Sequence, residues 1–425
     1  MHDDEDTPKP PTKCASTAPS AAEPNSAGDK CSKTGSLPDE LADELNQLRT
    51  AGLYRELRDI ESPQSTRIRI AGRDLINFSS NDYLGLANDP VLKTAAIAAL
   101  EQFGVGAGAS RLISGNLAPY RQLEQTLARF KNLPAALVFG SGYAANVGTL
   151  TALLRPGDVV ILDKLCHASL IDGARQSHAT LRVYPHNDTA KLERILAQVT
   201  GSARRVVIAT ESVFSMDGDL APLAEIVTLK NRYGAWLLLD EAHATGLYGH
   251  HRRGLAEPLG LEDQIEITVG TLSKAFGCVG GYVAGSVELI EFLRNRARSL
   301  IYSTALPPAM VAAANAAVQF VMSPAGHQRR DQLWRNVSEL KHGLAALGIP
   351  VTSRSAIIPL IVGDETAAVD LARVLFEAGI FAPAIRYPTV PRGRARLRLT
   401  VSAAHTADDI RQLLAALRKS WKFPA

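Results

Sequence analysis

Five short apolar runs, separated by segments long enough to be helices, constrain the fold of this 425-residue chain more than any other feature. Each run is apolar on both faces, and together they are Ala136–Phe139, Val159–Leu162, Val206–Ala209, Trp236–Leu239 and Ile267–Val269. Strands of this kind, alternating with helices, are typical of a parallel sheet that helices cover on both sides. The pattern therefore predicts an α/β fold.

The remaining chain predicts a division into four parts. Residues 1–36 are rich in Pro, Ser, Thr and Asp and have too few apolar residues to fold, so they are predicted to be a disordered tail. In residues 37–90, leucines three and four apart predict a helix from Leu37 to Leu57, and IRIAGRDLINF predicts a hairpin that turns at Ala71–Gly72. Residues 91–305 would form the large domain. In residues 306–425, a long Ala-rich helix and the alternating ARLRLTVS predict a smaller C-terminal α+β domain.

The bulk properties exclude several classes of protein. The formal net charge is only +3, and the one dense basic segment is Arg392–Arg398, so electrostatics offers no case for binding nucleic acid or an anionic membrane. No uninterrupted apolar stretch approaches the ~20 residues that span a bilayer. The chain has 4 cysteines, and two of them, Cys14 and Cys31, lie in the tail. They do not form a disulfide framework, which favours a cytoplasmic location.

The segment WLLLDEAHATG, Trp236 to Gly246, allows more than one interpretation. Asp240 follows an apolar strand, where a buried carboxylate needs a cation or strong donors. In a nucleotide-hydrolysing motor that cation would be magnesium, but the phosphate-binding loop of such proteins ends in Gly-Lys-Ser/Thr. Gly-Lys does not occur in this chain, so the motor is excluded and no metal is predicted. A purely structural aspartate paired with an arginine stays open.

A lysine beyond the next apolar run offers a different partner for Asp240. Lys274 lies in GTLSKAFGCVGGYVAG, among small residues that would disfavour its ammonium form. An aspartate and a lysine at neighbouring strand ends are what pyridoxal 5'-phosphate (PLP) requires. The lysine forms a Schiff base with the cofactor, and the aspartate keeps the pyridine nitrogen protonated. These two residues predict a PLP site.

Further features at the strand ends agree with this hypothesis. In ALVFGSGYAAN, a strand runs into a helix that begins near Gly142 and Tyr143, and helix N-termini bind phosphate. His167 and Ser215 follow two other strands. His243, three residues after Asp240, can turn back towards the same ring. Taken singly each feature is weak, but together they occur at successive strand ends.

Taken as a set, these motifs identify a family that the chain resembles. Those that carry the resemblance are NFSSNDYLGL (77–86), SGYAAN (141–146), CHASL (166–170), FSMDGDLAPL (214–223), DEAHATG (240–246), TLSKAFG (271–277), IYSTALPP (301–308) and RARLRLTVSAAHT (394–406). This set, from about Leu41 to the C-terminus, resembles the α-oxoamine synthases, which join an amino acid to an acyl thioester with loss of CO2. The resemblance implies PLP-dependent transferase fold type I, with a mainly parallel central sheet, and a homodimer.

The resemblance also implies a substrate and a set of site residues. NFSSNDYLGL, FSMDGD and YSTALPP are most similar to the branch that condenses L-alanine with a pimeloyl thioester of CoA or carrier protein, in biotin biosynthesis. A branch that joins glycine to acetyl-CoA, and a non-catalytic relative acting as a partner subunit, are the alternatives. The implied roles are catalysis for Lys274, His167 and Asp240; cofactor binding for these and Gly142, Tyr143, Ser215, His243 and Thr271; and substrate binding for Arg55, Asn81, His167, Thr389 and Arg398.

Overall fold

The computed structural model describes residues 36–423, and the chain divides into two units, Met1–Tyr54 and Arg55–Ala425. The predicted disordered tail lies outside the described residues, except for residue 36. In the first unit, helix α1 spans Leu37–Thr50. The prediction that this helix continues to Leu57 is wrong, because Gly52 has a φ of 65°, a left-handed conformation that ends helices.

The elements of the second unit alternate between helices and strands along most of its length. Its strands are β1 Arg67–Ile70, β2 Arg73–Asn77, β3 Ala135–Phe139, β4 Val159–Asp163, β5 Thr180–Tyr184, β6 Val206–Glu211, β7 Trp236–Asp240, β8 Ile267–Thr271, β9 Gly281–Gly285, β10 Ile357–Gly363, β11 Ile380–Phe381, β12 Ala384–Ile385 and β13 Ala395–Thr400. Its α-helices are α2 Pro90–Phe103, α3 Ala118–Lys131, α4 Gly142–Leu153, α5 Ala168–Gln176, α6 Thr189–Val199, α7 Leu223–Tyr233, α8 Val287–Arg296, α9 Arg298–Ile301, α10 Pro308–Met322, α11 Pro324–Ala346, α12 Glu365–Glu377 and α13 Ala407–Ser420.

The central sheet has seven strands in the order β3-β9-β8-β7-β6-β4-β5. All five predicted strands are present, and the pairs β4–β5, β4–β6, β6–β7 and β7–β8 are parallel. The prediction of a mainly parallel sheet is confirmed, with one antiparallel member, β9, which lies between β3 and β8. Because β4, β6, β7 and β8 are parallel to one another, their carboxyl ends lie at one edge.

Helices bury both faces of this sheet, as expected for strands whose side chains are apolar on both faces. On β7, Leu238 joins an apolar cluster on one face, while Leu237 and Leu239 join a different cluster on the other face. All three side chains are 0% exposed, and burying each contributes about 2 kcal/mol. The buried strands thus form a rigid base for the side chains that follow them.

Two smaller sheets complete the second unit. The predicted hairpin is confirmed: β1 pairs with β2 antiparallel, turning at Ala71 and Gly72, and β11 adds to β2. In the C-terminal part, β13 lies between β10 and β12, antiparallel to both. A smaller C-terminal domain is therefore present as predicted, whereas the domain boundaries stay a prediction. Among residues 36–423, no single helix has the length and apolarity to cross a membrane. Helices α10 and α11, bent by 77°, meet that test only as a pair.

Candidate active site

Five of the predicted site residues lie where four neighbouring strands end. Asp240 is the last residue of β7, and Thr271 is the last of β8, with Lys274 three residues beyond it. His167 follows β4 and caps the N-terminus of α5. Ser215 follows β6. The sheet order β8-β7-β6-β4 places these ends side by side, and ligands of open α/β sheets bind at this edge.

Asp240 is held by one donor from helix α4 and one from the loop that follows β7. One carboxylate oxygen accepts a hydrogen bond from the Asn146 side chain at 2.7 Å, and the other accepts from the Ala242 backbone N–H at 2.9 Å. Asn146 also donates to the Ser169 hydroxyl, which lies 2.8 Å from Nδ1 of His167. Asn146 and Ser169 therefore connect Asp240 to His167 through three hydrogen bonds.

Lys274 lies in the same buried site. Its Nζ is 2.9 Å from Nε2 of His243, whose Nδ1 is 2.7 Å from the hydroxyl of Tyr83. Burial lowers the pKa of Lys274, while the negative charges of Asp240 and Glu211 act to raise it. Asp240 and Lys274 therefore face one site, where a buried lysine with a lowered pKa is a usable amine nucleophile.

The two histidines are neutral for the same physical reason. Burial, and then the charge of Lys274, lower the pKa of His243 well below its ordinary value. Burial also lowers the pKa of His167, although Asp240 opposes this change. A neutral His243 can accept a hydrogen bond from Lys274, whether that group is an ammonium or an amine.

The start of α4 presents backbone N–H groups beside the end of β8. Ser141 caps the helix, accepting from the Ala144 N–H at 3.0 Å, and the helix begins at Gly142. N–H groups in the first turn of a helix have no partner within it and attract anions. A Cβ on Gly142 would lie 3.5 Å from Thr271 Oγ1, so these two residues adjoin. The hydroxyl of Tyr143 instead donates to Asp172 at 2.7 Å.

Arg398 reaches the site from the C-terminal part of the chain. Its guanidinium donates to the Ser215 carbonyl and, at 3.1 Å, to the side-chain oxygen of Asn81. The same Asn81 oxygen accepts from the hydroxyl of Tyr83 at 3.2 Å. Arg398 is thus connected to Lys274 through Asn81, Tyr83 and His243. Arg396 and Arg398 are buried, whereas Arg394 at the start of the same segment is exposed.

Arg55 and Thr389 form a separate exposed contact. Nη2 of Arg55 is 3.4 Å from the Thr389 hydroxyl, although the residues are 334 positions apart. The tertiary fold therefore brings together two residues to which the family resemblance had assigned the same role, substrate binding. No hydrogen bond within residues 36–423 joins this pair directly to Lys274.

Sequence reasoning missed Glu211, the last residue of β6. Glu211 is 3% exposed and its carboxylate accepts from the His167 backbone N–H at 2.6 Å. Burial, and then the charge of Asp240, raise its pKa to about 8. The signal was available, because Glu211 follows an apolar run just as Asp240 does. Asn146 and Tyr83 were also missed, although both lie within quoted motifs.

The site residues fit the PLP that the sequence predicts. A buried carboxylate, a buried amine of lowered pKa and a helix N-terminus beside Thr271 match the ring nitrogen, aldehyde and phosphate of that cofactor. The side-chain oxygen of Asn146 is buried without a hydrogen-bond partner among the described residues. A buried polar atom of this kind is expected where a polar ligand binds.

Comparisons with known proteins agree with this arrangement. Residues 73–417 match the family model described as aminotransferase class I and II. An 8-amino-7-oxononanoate synthase of Thermoanaerobacter pseudethanolicus is 48% identical over 385 residues, which cover 90% of this chain and 97% of that protein. A serine palmitoyltransferase of S. paucimobilis, solved with a bound PLP-myriocin aldimine, has a TM-score of 0.85 and 34% identity, covering 90% of this chain and 96% of that chain.

A second solved structure is similar over most of its length. The 8-amino-7-oxononanoate synthase from Francisella tularensis has a TM-score of 0.69 and 30% identity, covering 81% of this chain and 97% of that chain. The family model covers most of the chain, and the curated relative is similar over nearly its whole length. The chain belongs to the class I and II aminotransferase family, in the group that contains the 8-amino-7-oxononanoate synthases.

Proposed function

We propose that the chain is a PLP-dependent acyltransferase that condenses L-alanine with a pimeloyl thioester. The products are 8-amino-7-oxononanoate, CO2 and the free thiol of CoA or a carrier protein, as in biotin biosynthesis. The observation that carries the proposal is the shared buried site of Asp240 and Lys274, with Arg398 connected to it. The similarity to 8-amino-7-oxononanoate synthases supports the choice of substrates.

Each end of the cofactor has residues that would hold it. Lys274 would bind it covalently, and Asp240 would pair with its ring nitrogen. The phosphate would meet the N-terminus of α4 and Thr271, while the remaining ring contacts would come from His167, Ser215 and His243. When bound, PLP supplies an electron sink that stabilises negative charge at the substrate α-carbon.

The chain's own groups would position alanine and move its proton. The guanidinium of Arg398 is suited to bind the alanine carboxylate, because it can form two parallel hydrogen bonds to it. The lowered pKa of Lys274 makes its amine a general base for the α-proton. Neutral His243, 2.9 Å from Lys274, orients that amine. Asn81, His167, Arg55 and Thr389 would bind the acyl substrate.

We also propose that the enzyme is a homodimer. An isolated β-bridge pairs Ser110 with Thr304. Several large apolar side chains near this bridge are exposed, notably Ile113 at 80% and Tyr302 at 72%. Exposed apolar groups that cluster in this way mark protein interfaces. Sedimentation should give twice the 45.5 kDa of one chain, and Ile113→Asp should shift the mass to that of one chain. A wild-type monomer at micromolar concentration would contradict the proposal.

A cytoplasmic location is part of the same proposal. Of the described residues, Cys166 and Cys278 are free cysteines. Unpaired thiols are ordinary in a reducing compartment and rare in small secreted domains. Cell fractionation followed by detection of the chain would test this location, and recovery from the culture medium would contradict it.

Substrate choice can be tested with a small panel. Alanine, glycine and serine are each paired with pimeloyl-CoA and with acetyl-CoA, and release of free thiol is followed. Alanine with pimeloyl-CoA should give the highest kcat/KM. A preference for glycine with acetyl-CoA would replace the proposed substrates, and a chain that takes up no PLP would support a non-catalytic partner role.

A further inference from the structure

A hairpin loop between β12 and β13 is strongly basic. Residues 386–394 read RYPTVPRGR and contain no acidic residue. Arg392 and Arg394 are exposed, and within residues 36–423 neither forms an ion pair with a carboxylate. Arg392 lies over the ring of Tyr387, with its guanidinium carbon 4.4 Å from the ring centroid. The two guanidinium groups thus present free positive charge to solvent.

Arginines of the adjoining strand behave differently. Arg396 pairs with Asp217 at 2.7 Å, and Arg398 donates to Asn81. At the loop itself, Glu365 accepts a hydrogen bond from the Gly393 backbone N–H at 3.3 Å and is not within ion-pair distance of either guanidinium group. Neither guanidinium group therefore neutralises a carboxylate of the described residues.

The loop contains Thr389, which contacts the second substrate-binding candidate Arg55. It leads into β13, the strand that carries Arg398 to the site. Arg394 and Arg398 are four residues apart, which in an extended chain corresponds to about 13 Å. Since Arg398 is connected through Asn81 to the reaction site, Arg394 lies beyond it towards solvent.

We propose that Arg392 and Arg394 bind the phosphate of the phosphopantetheine arm that carries the thioester substrate. This inference rests on the proposed function, which requires a thioester carrier. CoA and carrier proteins share the 4'-phosphate, and a guanidinium group binds phosphate through two parallel hydrogen bonds. The pantetheine arm separates this phosphate from the thioester, so its binding site must be solvent-facing and away from Lys274. Arg392 and Arg394 satisfy both conditions.

Binding to the PLP-loaded enzyme tests the inference without requiring turnover. The Kd values of pantetheine, 4'-phosphopantetheine and CoA are measured by calorimetry for the wild type and for the double variant Arg392→Ala/Arg394→Ala. The variant should bind 4'-phosphopantetheine and CoA roughly tenfold more weakly, because two exposed charge contacts are lost. Its Kd for pantetheine should not change, and Arg392→Lys/Arg394→Lys should recover part of the affinity.

Arg411→Ala is the matched control, since Arg411 is also exposed but pairs with Asp408 on α13; it should leave all three Kd values unchanged. An effect on CoA alone would assign the arginines to its additional phosphates and would overturn the inference, whereas an equal effect on 4'-phosphopantetheine would assign them to the shared 4'-phosphate. Equal weakening of pantetheine binding, or unchanged binding of both phosphorylated ligands, would overturn the inference. Failure of the wild type to turn over alanine with pimeloyl-CoA would contradict the proposed function alone.

Discussion

At the residue scale, Lys274 lies in a buried environment that disfavours its charged ammonium form. Burial lowers the pKa of its ammonium group, and the site compensates only in part with the charges of Asp240 and Glu211. Its contact with neutral His243 leaves the amine able to lose or gain a proton. These are the conditions under which a lysine serves first as a nucleophile and then as a base.

Replacing this lysine should therefore abolish catalysis without unfolding the chain. In Lys274→Ala, thiol release from alanine and pimeloyl-CoA should fall at least a thousandfold, roughly what loss of a general base and nucleophile costs. Borohydride should attach PLP to the wild type and not to the variant. Lys191→Ala, an exposed position on α6, should retain full activity. Substantial turnover by Lys274→Ala would contradict the assigned role.

His186 is a charged residue with a structural role outside the site. Its ring lies 2.9 Å from Asp163 Oδ1 and 2.6 Å from Asp219 Oδ2. Burial opposes the charged ring, but hydrogen bonds to the two aspartates raise its pKa to about 10. The charged ring therefore joins the end of β4 to the loop that contains Ser215.

The stability that His186 contributes should depend on pH. Because the folded pKa lies above the unfolded value of ~6.5, the contribution is complete below about pH 6.5 and is lost as the pH rises towards 10. His186→Gln should lower the unfolding free energy by about 2 kcal/mol near pH 6, and by much less near pH 10.5. Denaturant unfolding at both pH values measures this difference. His342→Gln, on an exposed face of α11, should show no such dependence, and a pH-independent loss in His186→Gln would contradict the interpretation.

At the element scale, the loop between β6 and α7 connects the central sheet to the C-terminal part. Its carbonyl groups at Ser215 and Met216 accept from Arg398 and Arg396 of β13. Gly218 packs against the segment before β10, where Ser353 donates to its carbonyl at 3.1 Å. The geometry of this loop therefore sets the position of Arg398 relative to Ser215.

A side chain at Gly218 should disturb this junction. Gly218 has a φ of +67°, and an added Cβ would lie 2.7 Å from Ser353 Oγ and would overlap the Ile357 carbonyl. Gly218→Ala should cost about 3 kcal/mol of unfolding free energy, from backbone strain and overlap together.

Gly234→Ala separates the two causes. Gly234 has nearly the same φ, +64°, with nothing within 4 Å of an added Cβ, so it should cost only about 1 kcal/mol. Chemical denaturation compares the two variants. Equal losses would show that the packing at Gly218 contributes nothing.

The strands of the central sheet differ in how easily they can be predicted from the sequence. β4, β6 and β7 are buried along their whole length or nearly so, and continuous apolar residues were sufficient to predict them. β5 is an edge strand with an exposed face, and β9, GYVAG, begins and ends in glycine. Both were missed, because β5 is not continuously apolar and glycine has a low β-propensity. β9 is held by pairing on both sides, which only the tertiary structure supplies.

At the scale of the whole molecule, the site draws on distant parts of the chain. Asn81 precedes the large sheet, Lys274 lies in the segment between β8 and β9, and Arg398 belongs to the C-terminal sheet. The Arg398–Asn81 contact joins residues 317 positions apart. A ligand that contacts several of these parts should stabilise the whole fold, since binding to the native state alone raises the unfolding free energy.

Removal of PLP should therefore lower the melting temperature. With free PLP at about 1,000 times its Kd, binding adds about 4 kcal/mol, so the apo form should melt at least about 5 °C lower. Differential scanning calorimetry of the two forms measures this shift. Pyridoxal lacks the phosphate and should restore only part of the stability, because the α4 N-terminus and Thr271 remain without their anion. Equal melting temperatures with and without PLP would contradict a cofactor site at this position.

The sequence by itself determined the parallel sheet and the residue types at its strand ends. Apolar periodicity is local, and a buried strand shows it whatever its neighbours are. The identity of Asp240, Lys274 and His167 as site candidates followed from their places after such strands. The family and the fold are confirmed, and the roles of these three residues stay a prediction.

Only the tertiary structure decided which of these groups touch. The hydrogen bonds from Asn146 to Asp240 and from the His167 N–H to Glu211, and the contact of Tyr83 with His243, join residues between 44 and 160 positions apart. No local pattern encodes such distances, because they depend on how helices and sheets pack. The shift in the pKa of Lys274 follows from the same packing, since burial and neighbouring charge exist only once the chain has folded.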